Sequence, residues 1–364
     1  MTRLQRRFAL LFVPVLVLGV FVFFRLSAFN YFTSIEPRFA GECSSVTGVA
    51  GPEDIQIDHG SRRAFISSFD RRAKRRGDAM RGAIFSVNVD DPLDMRAWRD
   101  QTGGIPEKFE PSGIYFYQGE GVSRLFVVNS ATNAVELFDV SPQGTLMHLE
   151  TLSERRLTNP KDLVATGPRS FYITNDTSSR HGTLFRWLQY VWELKTGNVL
   201  FYNGMAWRSA ADSLRIANGI NMSPDGKRVY IAETSARSMK VYDRDVDSNL
   251  LTLSRTVKIG AAPHNIDVDE KGAVWIGSMP KPLQLWAHIR SAKNIVPSKV
   301  FRFADRPSND SAALDEVRSS DPLQEIYSGP GSSISGSTTA ARLGDKILIG
   351  AMMEDRYLLC DMAS

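Results

Sequence analysis

Histidine and cysteine are scarce in this chain, at five and two of 364 residues. No H-E-x-x-H helix, no G-x-S-x-G elbow and no P-loop occurs in it. Zinc-protease, serine-elbow and P-loop chemistry therefore lack their machinery. Acidic residues are missing from the first 25 positions, which hold four arginines. Those four account for the whole formal charge of +4 and leave residues 26–364 neutral. The basic balance is thus no footprint of nucleic-acid binding. Local basic density remains at Arg71-Arg72-Ala73-Lys74-Arg75-Arg76, which reads as a solvated loop. A linker or composition break between residues 40 and 364 is also missing, which argues against two separate sandwich domains.

The N-terminus carries a different signal. Arg3, Arg6 and Arg7 precede an uncharged apolar run from Phe8 to Phe24, closed by Arg25. A basic flank followed by an apolar core is a targeting segment. No A-x-A cleavage site follows, since Leu26-Ser27-Ala28-Phe29 is poor. Residues 1–25 are therefore expected to be an uncleaved signal anchor, touching the membrane through residues 8–24 with the arginine side in the cytoplasm. A cleaved signal peptide and a buried core helix are the alternatives. Residues 26–39 would link it to a folded domain at 40–364, outside the cytoplasm, membrane-anchored or secreted. Cys43 and Cys360 lie near the two ends of that domain. In an exported chain they read as a disulfide joining the termini, with two free thiols as the alternative.

Within residues 40–364 one unit repeats: a polar start, an apolar strand, a tight turn and a second strand. The clearest copy is Asn218-Gly219-Ile220-Asn221-Met222, the turn Pro224-Asp225-Gly226-Lys227, then Val229-Tyr230-Ile231-Ala232. Ile220 and Met222 alternate with polar neighbours, and Pro and Gly supply the turn. Copies begin near 53, 112, 161, 218, 264 and 335, about fifty residues apart. Six copies at that period predict an all-β, six-bladed β-propeller behind an N-terminal signal-anchor helix, its ring closed by the cysteine pair. One stretch, Thr183 to Leu194, reads instead as a helix capped by Thr183. It would pack on a blade, lie across the propeller mouth or touch a membrane surface. Gly329-Pro330-Gly331-Ser332-Ser333 reads as a loop before the last blade.

Inner strands of a propeller line a central channel, so their starts form rings. The first ring is Glu53, Ser112, Lys161, Asn218, His264 and Ser335. The second is Asp54, Gly113, Asp162, Gly219, Asn265 and Gly336. Oxygens of Glu, Asp and Asn suit a hard cation such as Ca²⁺. A hydrogen-bonded polar plug is the competing reading.

The repeats also carry a family resemblance. Glu53-Asp54 with Ala64-Phe65-Ile66-Ser67-Ser68, Phe126-Val127-Val128-Asn129 with Val135-Glu136-Leu137-Phe138, and Asp162-Leu163-Val164-Ala165 with Phe171-Tyr172-Ile173-Thr174-Asn175-Asp176 resemble the paraoxonase/arylesterase family. So do the Asn218 repeat, Asn265-Ile266 with Val274-Trp275-Ile276-Gly277, and Gly336-Ser337-Thr338 with Leu359-Cys360. That family sits in a wider six-bladed group with gluconolactonases and strictosidine synthase. The resemblance implies a structural calcium held by Asp54, Asp162 and the backbone carbonyl of Ile114. It also implies a catalytic calcium held by Glu53, Asn218 and Asn265.

Four positions depart from the pattern. Lys161 stands where the family has an Asn ligand, and His264 where it has an Asp. The catalytic histidine pair falls at Ser112 and Ser130. An ammonium among these ligands repels Ca²⁺ and would pair with Glu53. The upper ion is therefore expected to bind weakly or not at all, while the structural calcium is kept. Three functions follow from the resemblance. One is hydrolysis of a small-molecule lactone or aryl ester at an atypical site, with Lys161 or His264 as replacement base. Another is ligand or partner binding by a non-hydrolytic propeller that keeps only the structural calcium. The third is metal-independent chemistry of the strictosidine synthase kind.

Overall fold

A computed structural model describes residues 3–92, 95–97, 105–179, 183–305 and 322–363. The repeats form six antiparallel sheets arranged in a ring. Their innermost strands are Pro52–Asp58, Pro111–Gly119, Pro160–Ala165, Ala217–Met222, Ala262–Val268 and Thr339–Leu343. Each contacts the inner strand of the next sheet, and the last returns to the first. Hydrophobic cores fill the wedges between blades. Ile55, Ile66 and Phe85 meet Leu348 and Tyr357 in one wedge, and Phe126 and Leu137 meet Leu163 and Phe171 in another.

The ring closes by mixing the two ends of the chain. The sixth sheet takes Thr339–Leu343, Lys346–Gly350 and Arg356–Met362 from the C-terminus and Gly41–Thr47 from the N-terminus. Cys43 and Cys360 face each other in that ladder and form the expected disulfide. Arg38–Phe39 adds a fifth strand to the edge of the fifth sheet.

Two local expectations change. The basic stretch is a helix, α2 (Arg71–Arg76), rather than a loop. The Asp70 carboxylate accepts from the Ala73 N–H at 2.8 Å, and Gly77 ends the helix in the left-handed conformation. The last inner strand begins at Thr339 rather than at Ser335. The Ser335 hydroxyl accepts from the Val296 N–H at 2.7 Å in the buried segment that precedes this strand.

Three further helices bear on the mouth of the channel. They are α1 (Arg3–Ala28), α3 (Leu184–Val191) and α4 (Pro282–Arg290), where the Arg186 N–H reaches the Thr183 hydroxyl at 3.2 Å. Arg25 pairs with Glu193 just beyond α3 at 3.1 Å, and the Asn30 side chain donates to the Gly260 carbonyl at 3.0 Å. Arg72 of α2 reaches the His288 ring of α4 at 3.0 Å. Phe12 to Phe24 on α1 present many exposed apolar side chains. No helix among the described residues is long and apolar enough to cross a membrane.

Candidate functional site

A repeated clip fixes the channel. On one blade after another, a side chain of the inner strand accepts from the next N–H of its own strand and also bonds the backbone of the neighbouring blade. Asp54 accepts from the N–H groups of Ile55 at 3.0 Å and Ile114 at 2.9 Å. Asp162 accepts from Leu163 at 2.8 Å and Ile220 at 2.9 Å. Asn221 accepts from Met222 at 2.8 Å and donates to the Ile266 carbonyl at 3.0 Å. Asp267 accepts from Val268 and from Arg342 of the sixth blade. Glycine makes the approach possible: a Cβ on Gly113 would stand 2.4 Å from Asp162, and one on Gly219 2.4 Å from the His264 carbonyl.

Burial sets the electrostatics of this channel. It pushes the Asp54 carboxyl up to about 7, against the hydrogen bonds from Ile114, Ile55 and Thr339, with the charge of Glu53 adding to the rise. Burial and then the Asp54 charge push Asp162 well above the carboxylate range and Asp267 up to about 8. Among the described residues none of these three has a basic partner, whereas Glu53, Glu136, Asp176, Glu233 and Asp269 each pair with an Arg, Lys or His. Buried carboxylates are costly unless paired or coordinated, so this part of the channel fits a cation. Among the described residues no three His, Cys, Asp or Glu side chains converge closely enough to hold an ion unaided. Backbone and neutral side-chain oxygens would have to complete any shell.

The mouth above is built differently. Glu53, Asn218, His264 and Asn265 are all buried on inner strands, and the Glu53 charge acts on His264. The expected Lys161–Glu53 pair does not form. Arg71 reaches down from α2 to the Glu53 carboxylate, and the Lys161 ammonium turns to Asp176 at 3.7 Å, where Arg186 also binds at 3.1 Å. The Asn265 amide donates to the Glu53 carbonyl at 2.8 Å, and the Thr338 hydroxyl donates to the same oxygen at 2.7 Å. Thr339 donates to Asp54 at 3.1 Å, so Thr338 and Thr339 stand where the sequence reading puts Ser335 and Gly336. Ser130 donates to Ser112 at 3.0 Å, and Ser112 donates to the Lys161 carbonyl at 3.3 Å. With Glu53 held by a guanidinium and the Lys161 charge acting on the neighbouring His264, the mouth does not fit a second cation.

His264 is the mouth's titratable ring. Burial, reinforced by the charges of Lys161 and Arg71 against that of Glu53, lowers it to about 4, so it is neutral near pH 7. Its Nδ1 and the Asn218 Oδ1 are buried without hydrogen-bond partners. Above the mouth, α1, α3 and α4 enclose a cavity of about 1220 Å³ lined by Phe21, Phe29, Trp192, Met279, Leu283 and Trp286. Arg71, Asp176, Arg186 and Asp267 were not legible as site residues from the sequence. The caps Asp70 and Gly77 could have disclosed the α2 helix that delivers Arg71.

Comparison with known proteins agrees with the propeller fold. The arylesterase family model matches residues 78–362. Serum paraoxonase/arylesterase 1 of Homo sapiens is 30% identical over 352 residues, covering 92% of each chain. Serum paraoxonase/arylesterase 2 of Gallus gallus is 30% identical over 356 residues, covering 93% of this chain and 95% of the other. A gluconolactonase from Xanthomonas campestris shares the fold with a TM-score of 0.53 at 13% identity, over 91% of this chain and 98% of the other.

Proposed function

The chain belongs to the arylesterase family, and we propose that it hydrolyses a lactone or aryl ester at the channel mouth with its own cations in place of a catalytic calcium. The observation that carries this is a neutral, buried His264 with an unpartnered Nδ1 beside the charge of Lys161. In this reading His264 accepts a hydrogen bond from water and takes its proton as the water oxygen adds to the carbonyl carbon, with no free hydroxide formed. Lys161 faces the oxyanion that develops. The ester C–O bond then breaks, and the leaving oxygen takes the proton back. Ser112 and Ser130 shape the wall where the family pattern places histidines. Asp54, Asp162 and the Ile114 carbonyl would hold a structural calcium, which supplies charge compensation to the channel and no step of the reaction.

The test is turnover of a lactone and aryl-ester panel by the full chain in detergent. Wild type should be active with or without chelator. Lys161→Met should lower kcat/KM by about 10²-fold or more, and His264→Ala by a similar factor. Absence of turnover across the panel would sink this reading. It would favour a ligand-binding propeller, a second reading that the capture of Glu53 by Arg71 supports.

The same reading sets the propeller outside the cytoplasm, with residues 1–25 as its anchor. The disulfide and the four anchor arginines support it. The chain should stay with membranes through carbonate washing, and release into the supernatant would reject the anchor.

A further inference from the structure

The channel holds one carboxylate more than the proposed calcium site uses. Asp267 is buried on the fifth inner strand, 5% exposed, and its Oδ2 has no hydrogen-bond partner. Asp54 is the strongest charge acting on it, and Asp54 also acts on Asp162. Asp54 thus acts on two other buried acids, and among the described residues no basic side chain pairs with any of the three. The clip alone does not account for an acid here. On the fourth inner strand the neutral Asn221 makes the equivalent clip to the fifth blade. An amide at 267 would keep an acceptor for Val268 and Arg342 and would remove the repulsion. A third uncompensated charge is tolerable where a divalent cation offsets it.

We propose that Asp267 is a positioning residue of the channel's cation site, supplying a third negative charge to an ion held by Asp54 and Asp162. The inference rests on the structural-calcium reading above. It goes beyond that reading by adding a residue that acts through charge, not contact. Raising the negative charge around an oxygen site tightens calcium, so Asp267 sets the affinity.

The experiment is a calcium titration of the full chain by calorimetry, with thermal unfolding measured in calcium and in chelator. Asp267→Asn should weaken calcium by about tenfold or more. It should also raise the melting temperature in chelator and shrink the calcium-induced rise. Asp267→Ser, which leaves room for a water, should weaken calcium in the same way. Wild type that binds no calcium would overturn the structural-calcium reading, and this inference with it. Calcium binding that survives both substitutions within about twofold would overturn the role of Asp267 alone. Failure of both variants to fold, in calcium and in chelator, would also overturn it, by showing that the residue serves the clip.

Discussion

A chain carrying Arg71→Ala, Lys161→Asn and His264→Asp together is expected to bind one calcium ion more than the wild type. Each substitution removes a specific obstacle at the mouth. Arg71→Ala frees the Glu53 carboxylate, which the guanidinium now occupies. Lys161→Asn replaces an ammonium by a carboxamide oxygen. His264→Asp turns a neutral ring with an unpartnered nitrogen into an anionic ligand beside Asn218 and Asn265. Two unit charges 4 Å apart interact by about 4 kcal/mol at an effective dielectric of 20, and a divalent ion doubles that. The three changes make the mouth more negative by three charges, enough to move calcium affinity by orders of magnitude. The pair Lys161→Asn and His264→Asp should gain less, because Glu53 stays on Arg71. Equilibrium dialysis with metal analysis gives the stoichiometry. A triple variant that gains no ion would show that Glu53, Asn218 and Asn265 are not the ligand floor.

The propeller was legible because its signal is local and repeated. Five of six inner strands begin within two residues of the positions marked by the polar starts at 53, 112, 161, 218 and 264. The sixth was misplaced because Ser335-Gly336 imitates the Asn218-Gly219 pattern, while the ring is in fact reached by Thr338 and Thr339. Helix α4 carried a readable mark, Pro282 in its first turn, but its apolar residues fall beside a strand-rich stretch. Helix α2 buries only Ala73, so it shows almost no apolar periodicity. Its partner contacts are invisible in the sequence for a deeper reason. Arg71 meets Glu53, and Arg72 meets His288 some 216 positions away, only because the ring brings the blades together. The ligand-like positions could be read from the repeats; the cation that captures Glu53 could not.

Removing the disulfide should cause the largest loss of stability available to a conservative change. The bond between Cys43 and Cys360 closes a loop spanning 317 positions, and a loop that long corresponds to about 5–6 kcal/mol in the chain-entropy account, of which real disulfides usually deliver less. Little else compensates at this seam. Gly41–Thr47 is exposed at six of its seven residues, so burial contributes little to holding it. Its ladder with Arg356–Met362 supplies backbone hydrogen bonds, which at a solvent-exposed edge have a small net value. Yet this strand, at the outer edge of the sixth sheet, is the member that joins the N-terminal end of the chain to the C-terminal blade. The double substitution Cys43→Ser and Cys360→Ser should therefore lower unfolding free energy by about 4 kcal/mol in denaturant titration. Limited proteolysis should then begin at residues 41–47, with the inner strands cut later. A loss of less than about 1 kcal/mol would mean that inter-blade packing, not the staple, closes the ring. The same argument explains why an oxidising compartment suits this fold. With the thiols reduced, the strand that ties α1 to the propeller rests on its backbone ladder, the Ser44 hydroxyl bond to the Leu359 carbonyl and the packing of Val46.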